Sequence, residues 1–123
     1  LRNSNWRSNM NERIAVTLDF TACKYIPELY KEMRTKMEWD DDFGENLSAL
    51  WDILTGMPYK GDDFTIIRPV RFENIPHGQN DIFTEYVDKL CAIFQRAQDR
   101  YGDITATIRY TDSEKNNLSN YLI

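Results

Sequence analysis

Residues 13–20, RIAVTLDF, alternate apolar and polar, which sets Ile14, Val16, Leu18 and Phe20 on one side. That is the period of a half-buried strand. Pro27 then suits the first turn of a helix, and Ile26, Leu29, Tyr30, Met33 and Met37 follow at helical spacing as far as Glu38. A second helix is predicted from about Glu45 to Leu54, with Leu47, Leu50 and Leu54 as its buried stripe and Trp51 flanking it. Gly56 stops it and Pro58 prevents its continuation. Phe64 to Phe72 reads as a strand in which Pro69 needs an edge or a bulge. After the turn-rich stretch 74–80, Asp81 is placed to cap a long helix. Its inner side holds Phe83, Tyr86, Val87, Leu90, Phe94, Ala97 and Tyr101. Gly102 ends that helix, and Ile104, Ala106, Ile108 and Tyr110 alternate through a last strand. The order strand, helix, helix, strand, helix, strand implies an α/β fold with a small parallel sheet and helices packed on it.

The chain has 123 residues, 41% of them hydrophobic and 13% aromatic. That fits one domain able to bury a core without staples. A net charge of −5 argues against direct nucleic-acid binding, which needs a basic face. No apolar run approaches the ~20 residues of a membrane span and no signal-peptide core opens the chain, so a cytoplasmic location is the expectation. Cys23 and Cys91 are two buried reduced thiols or one long-range disulfide; a lone pair makes no secreted disulfide framework.

Charge is distributed unevenly. Between Glu38 and Tyr59 lie six acidic residues and no lysine or arginine, whereas the other 14 acids face all 15 bases. One acidic patch on a balanced domain is a candidate footprint for a positively charged partner. Asp41, Asp42 and Glu45 stand at the start of the second helix, where acids offset the macrodipole by about 0.3–1 kcal/mol each with no partner involved. Asp52 lies near the helix C-terminus, where that explanation fails. Ser48 and Asp52 are four apart and share one face.

Catalysis finds less support. The run from Asp40 to Asn46 lacks the spacing of a calcium-binding EF-hand loop, and no His/Cys set suggests zinc. His77, the only histidine, sits in Ile-Pro-His-Gly and reads as a turn residue rather than a general base. No phosphate-cradling glycine loop is present, and no cofactor or metal is expected. Asp52 and Glu45 are about two helical turns apart, ~10 Å, which is long for paired carboxylate chemistry.

The stretch FGENLSALWDILTG, Phe43 to Gly56, resembles the defining helix of the barstar family of intracellular ribonuclease inhibitors. The likeness extends over residues 13–110, returning in Phe94, Ala97 and GDITATI. Residues 59–80 form an extra stretch, and the ends are polar extensions. The resemblance implies a three-stranded parallel sheet with helices and a protein that plugs a nuclease active site. Acidic side chains there stand where substrate phosphates would lie.

Carried over residue by residue, Asp52 matches the family's main acidic contact, and Gly44, Asn46, Trp51 and Gly56 match neighbouring positions. Ser48 stands where the family has a second interface aspartate, Asp42 where it has a tyrosine, Met57 a tryptophan and Arg96 an interface glutamate. The expected partner-binding set is therefore Asp41, Asp42, Gly44, Asn46, Ser48, Trp51, Asp52, Gly56 and Met57. Trp51 suits a half-core place or a direct contact, and Arg96 a solvated position or a salt bridge to an acidic toxin residue. The four departures point away from barnase, toward a different basic-clefted nuclease toxin bound one to one. This chain is then its immunity protein, serving bacterial self-protection against a toxin such as one delivered by neighbouring cells. Its rivals are a barstar-like domain with a non-nuclease partner and, from another class, a small carboxylate-dependent hydrolase.

Overall fold

The computed structural model describes residues 14–37, 44–56, 62–101 and 104–112. The chain runs β1 (Ile14–Asp19), α1 (Ile26–Met37), α2 (Leu47–Thr55), β2 (Asp62–Arg68), a 3-10 turn (Pro76–Gly78), α3 (Asn80–Tyr101) and β3 (Thr105–Tyr110). The strands lie in the order β1-β2-β3, all parallel, with Val16 opposite Phe64 and Phe64 opposite Ala106. This is the α/β arrangement that the element order implied.

Strand alternation survives because the helices cover one face of the sheet. Val16, Leu18, Phe64, Ile66 and Ala106 point into the core, where Leu29, Tyr30 and Met33 of α1, Leu50 and Leu54 of α2, and Val87, Leu90 and Phe94 of α3 meet them. On the other face Thr17, Thr65 and Thr107 stand side by side across the three strands. Thr17 and Thr107 are exposed and Thr65 is half-buried. Threonine combines a β-branched shape with a hydroxyl, and so serves a strand whose outer side meets water. A neighbouring row adds a hydrogen bond of 2.8 Å from the Thr105 hydroxyl to Asp63.

Several local expectations change. The middle strand runs from Asp62 to Arg68 rather than from Phe64 to Phe72, and Pro69 follows its last residue. A central strand bonds on both sides and has no place for a residue lacking N–H, so the strand ends where the proline begins. Asp81 does not cap α3. The helix starts at Asn80, and the Gln79 carbonyl accepts from Phe83 N at 2.9 Å. Asp81 instead pairs with Arg71 at 2.8 Å. His77 occupies the turn before α3 with a left-handed φ of 62°.

Arg68 closes β2 and is only 2% exposed. Its Nε donates to the Pro69 carbonyl at 2.9 Å and one terminal nitrogen donates to the Val70 carbonyl at 3.0 Å. The other terminal nitrogen meets Asp88 of α3 at 2.7 Å. The Phe72 and Tyr110 rings lie 5.8 and 5.5 Å from the guanidinium carbon. A buried charge needs this full set of partners to be tolerated. Through it, one side chain fixes the strand end, the following loop and α3.

Cys23 and Cys91 are free, buried thiols. Burial, followed by the nearby Glu28, Glu32 and Asp19 carboxylates, pushes the Cys23 thiol up to about 12. Burial also raises Cys91 and Tyr30, the latter bonded hydroxyl to hydroxyl with Tyr86 at 2.5 Å. Unfolded, the Cys23 thiol ionises near its ordinary 9; folded, it keeps its proton to about 12. Within that window the folded state binds more protons, so stability falls as pH rises, by at most about 1.4 kcal/mol per unit for this group. Urea midpoints measured from pH 8 to 11 should therefore decline, and Cys23→Ala should flatten the decline. An equally steep fall in the variant would refute the assignment to Cys23.

Candidate protein-binding site

The start of α2 is built by three neighbouring residues. Asn46 is the N-cap: its backbone is extended, its side-chain oxygen accepts from Ala49 N at 2.8 Å, and its carbonyl accepts from Leu50 N at 3.1 Å. The Gly44 carbonyl accepts from Asn46 N, and a Cβ on Gly44 would stand 3.2 Å from the Asn46 amide nitrogen, crowding the cap. Glu45 precedes the cap and pairs with Arg34 of α1. The first turn of α2 therefore contains no acid, and Glu45 ties α1 to α2 instead of compensating the dipole from inside the helix.

The other end has a steric requirement. Gly56 ends α2 with φ −86°, so a left-handed backbone is not the reason for glycine here. A Cβ at this position would come within 2.7 Å of the Asp52 carbonyl oxygen, and backbone cannot swing aside. Gly56 thus lets the chain turn closely across the carbonyl of Asp52, the residue on which the acidic reading rests.

Leu50 and Leu54 face the core, while Ser48 and Asp52 are exposed on the other side. Leu47 departs from the expected buried stripe: it is half-buried and lines a groove of about 310 Å³ with Ser48, Trp51 and Asp52 of α2 and Ile93 and Arg96 of α3. Trp51 takes the half-core place that was one of its two expected roles. It packs against the core, and its ring carries the Arg96 guanidinium, whose central carbon is 5.4 Å from the ring centroid. Among the described residues, neither the Asp52 nor the Arg96 side chain has a hydrogen bond or ion pair. The last turn of α2 has no basic residue to offset Asp52, so the acid sits unpaired in the half of the helix that disfavours it.

The structure thus brings Ser48, Trp51 and Asp52 to one surface and sets Gly44 and Asn46 before the start of α2 and Gly56 at its end. Asp41, Asp42 and Met57 lie outside the described residues. Ile93 was missed and Arg96 left open. They are three apart on one flank of α3, but only the packing of α2 on α3 reveals that this flank borders Asp52. His77 lines a separate hollow with Tyr25 and Phe83. Among the described residues no group of three His, Cys, Asp or Glu side chains could hold a metal ion, and no helix is long and apolar enough to cross a membrane. The groove offers an exposed carboxylate, an exposed guanidinium and an apolar floor. That chemistry suits recognition of another surface.

Comparison with known proteins agrees with that class. Residues 14–113 match the protein family described as Barstar (barnase inhibitor). The chain is also 28% identical over 91 residues to a Bacillus subtilis (strain 168) protein named "Putative ribonuclease inhibitor YrdF"; the match covers 72% of this chain and 89% of that protein.

Proposed function

The chain belongs to the barstar family, and on that premise we propose that it is an immunity protein that blocks the active site of a cognate nuclease toxin, most simply a ribonuclease. The observation that carries this reading is Asp52, an exposed carboxylate beside an apolar groove, unpaired among the described residues and set in the half of α2 where an acid opposes the macrodipole. A nuclease cleft must hold phosphates and so presents cations. A carboxylate on a rigid helix can take a phosphate's place there, while the helix excludes RNA by bulk. The inhibitor undergoes no turnover and needs no cofactor. Its setting is the cytoplasm of a bacterium protecting itself, with one inhibitor per toxin domain. The name of the similar Bacillus protein, a ribonuclease inhibitor, supports the class of partner.

The test is a titration against purified basic ribonuclease domains, beginning with candidates sought in the neighbouring reading frames. Activity should fall linearly to zero at one equivalent. The association rate should drop steeply between low and physiological salt, as electrostatic steering requires. Full nuclease activity at several equivalents would reject the reading and favour a non-nuclease partner.

A further inference from the structure

The groove beside Asp52 carries both signs of charge. Arg96 reaches it from α3 and Asp52 from α2, with Leu47, Trp51 and Ile93 between and beneath them. Stacking on Trp51 holds the guanidinium at this wall, and no hydrogen bond or ion pair within the described residues engages its donors. In water such an arginine is well solvated. Under a docked partner its position changes: the apolar floor and the covering protein lower the local dielectric, and a guanidinium stripped of water without an acceptor is costly. The same holds for Asp52 without a donor. A partner that covers this groove must therefore bring a cation to Asp52 and an anion to Arg96. The volume of about 310 Å³ equals on the order of ten water molecules of liquid, enough for the ends of a pair of side chains.

We infer that the groove between α2 and α3 receives an adjacent basic and acidic side chain from the nuclease partner, and that Arg96 is the residue that rejects nucleases whose cleft rim is cationic throughout. This rests on the nuclease-inhibitor reading and specifies the partner's surface within it. Arginine is suited to the task because its planar fork pairs a carboxylate through two parallel hydrogen bonds while one face stays on an aromatic ring. Specificity then comes from repulsion as well as attraction: a lysine or arginine opposite Arg96 is disfavoured even where Asp52 is satisfied.

Barnase, the enzyme named in the family description, serves as the cation-lined probe. Wild-type, Arg96→Ala and Arg96→Glu proteins would be titrated into it and inhibition constants measured at two salt concentrations. Arg96 is exposed on α3, so both variants should fold, and matching urea midpoints verify this. Arg96→Glu is expected to inhibit barnase at least about tenfold more tightly than wild type, with Arg96→Ala between them and the spread narrowing at high salt. Equal or weaker inhibition by Arg96→Glu, including none at all, overturns the inference. Adding Asp52→Ala to Arg96→Glu separates the two ideas. Loss of the gained affinity supports both, whereas an undiminished gain counts against the Asp52 reading alone.

Discussion

Asp52→Ala is expected to weaken binding of the cognate nuclease by at least about 30-fold, on the scale of 2 kcal/mol or more that charged interface hot spots reach, a scale set in part by barnase–barstar itself. Three features concentrate the effect at this residue. The carboxylate is exposed and has no ion pair or side-chain hydrogen bond among the described residues that docking would have to break. Its helix is held at both ends, by the Asn46 cap with the Glu45–Arg34 pair and by the close turn at Gly56. Little conformational entropy is then lost when it docks. Apolar surface from Trp51 and Leu47 lies beside it and helps exclude water from the contact. The stability of the free protein should stay constant or rise slightly, because an acid near a helix C-terminus opposes the macrodipole. Calorimetric titration gives the affinity and urea denaturation gives the stability. Unchanged affinity rejects Asp52 as the principal contact; a lost fold assigns it a structural role.

Arg68→Ala should cost about 3–5 kcal/mol of stability, among the larger effects expected of a single substitution. Truncation leaves the Pro69 and Val70 carbonyls without the donors they now have, and it removes the charge that Asp88 faces. It also opens a cavity between the Phe72 and Tyr110 rings. Arg68→Lys keeps the charge, but one ammonium cannot replace a fork that spans two carbonyls and a carboxylate. It should recover less than half the loss. Urea unfolding gives both values. A loss under 1 kcal/mol for the alanine variant would mean that water takes over the guanidinium's contacts, and that Arg68 does not organise the end of β2.

The fold was legible in the sequence wherever one side of an element meets the core and the other meets water. The alternation of Ile14, Val16, Leu18 and Phe20 and the helical spacing of Leu29, Met33 and Met37 are such cases. Where the boundary depends on a neighbour it was less legible. Pro69 looked tolerable inside a strand because sequence does not reveal that β2 is central, with partners on both sides. Arg68 gave no sign of burial, since its acceptors are backbone atoms and its counter-charge, Asp88, lies 20 residues further along. The site divided in the same way. Asp52 stood out through its position in its own helix, which needs only local reasoning. Arg96 and Ile93 join it through tertiary packing, and Asn46, with the residue type of a contact, is occupied in capping α2.

Among the described residues the sheet contains no hairpin. Ile14 pairs with Asp62, and Asp63 with Thr105, so each ladder closes a loop of more than 40 residues before its first hydrogen bond forms. Such closures place the chain among slower folders than a helical bundle of equal length. They also order events on the ribosome. Of the described elements β3 is made last, and the ladder to the central strand waits for it. Because α3 packs against both α2 and β3, the α3 wall of the groove gains its full support after residues near 110 have emerged. The surface that α2 and α3 present is therefore completed late in the synthesis of this domain, once β3 has left the ribosome and joined the central strand.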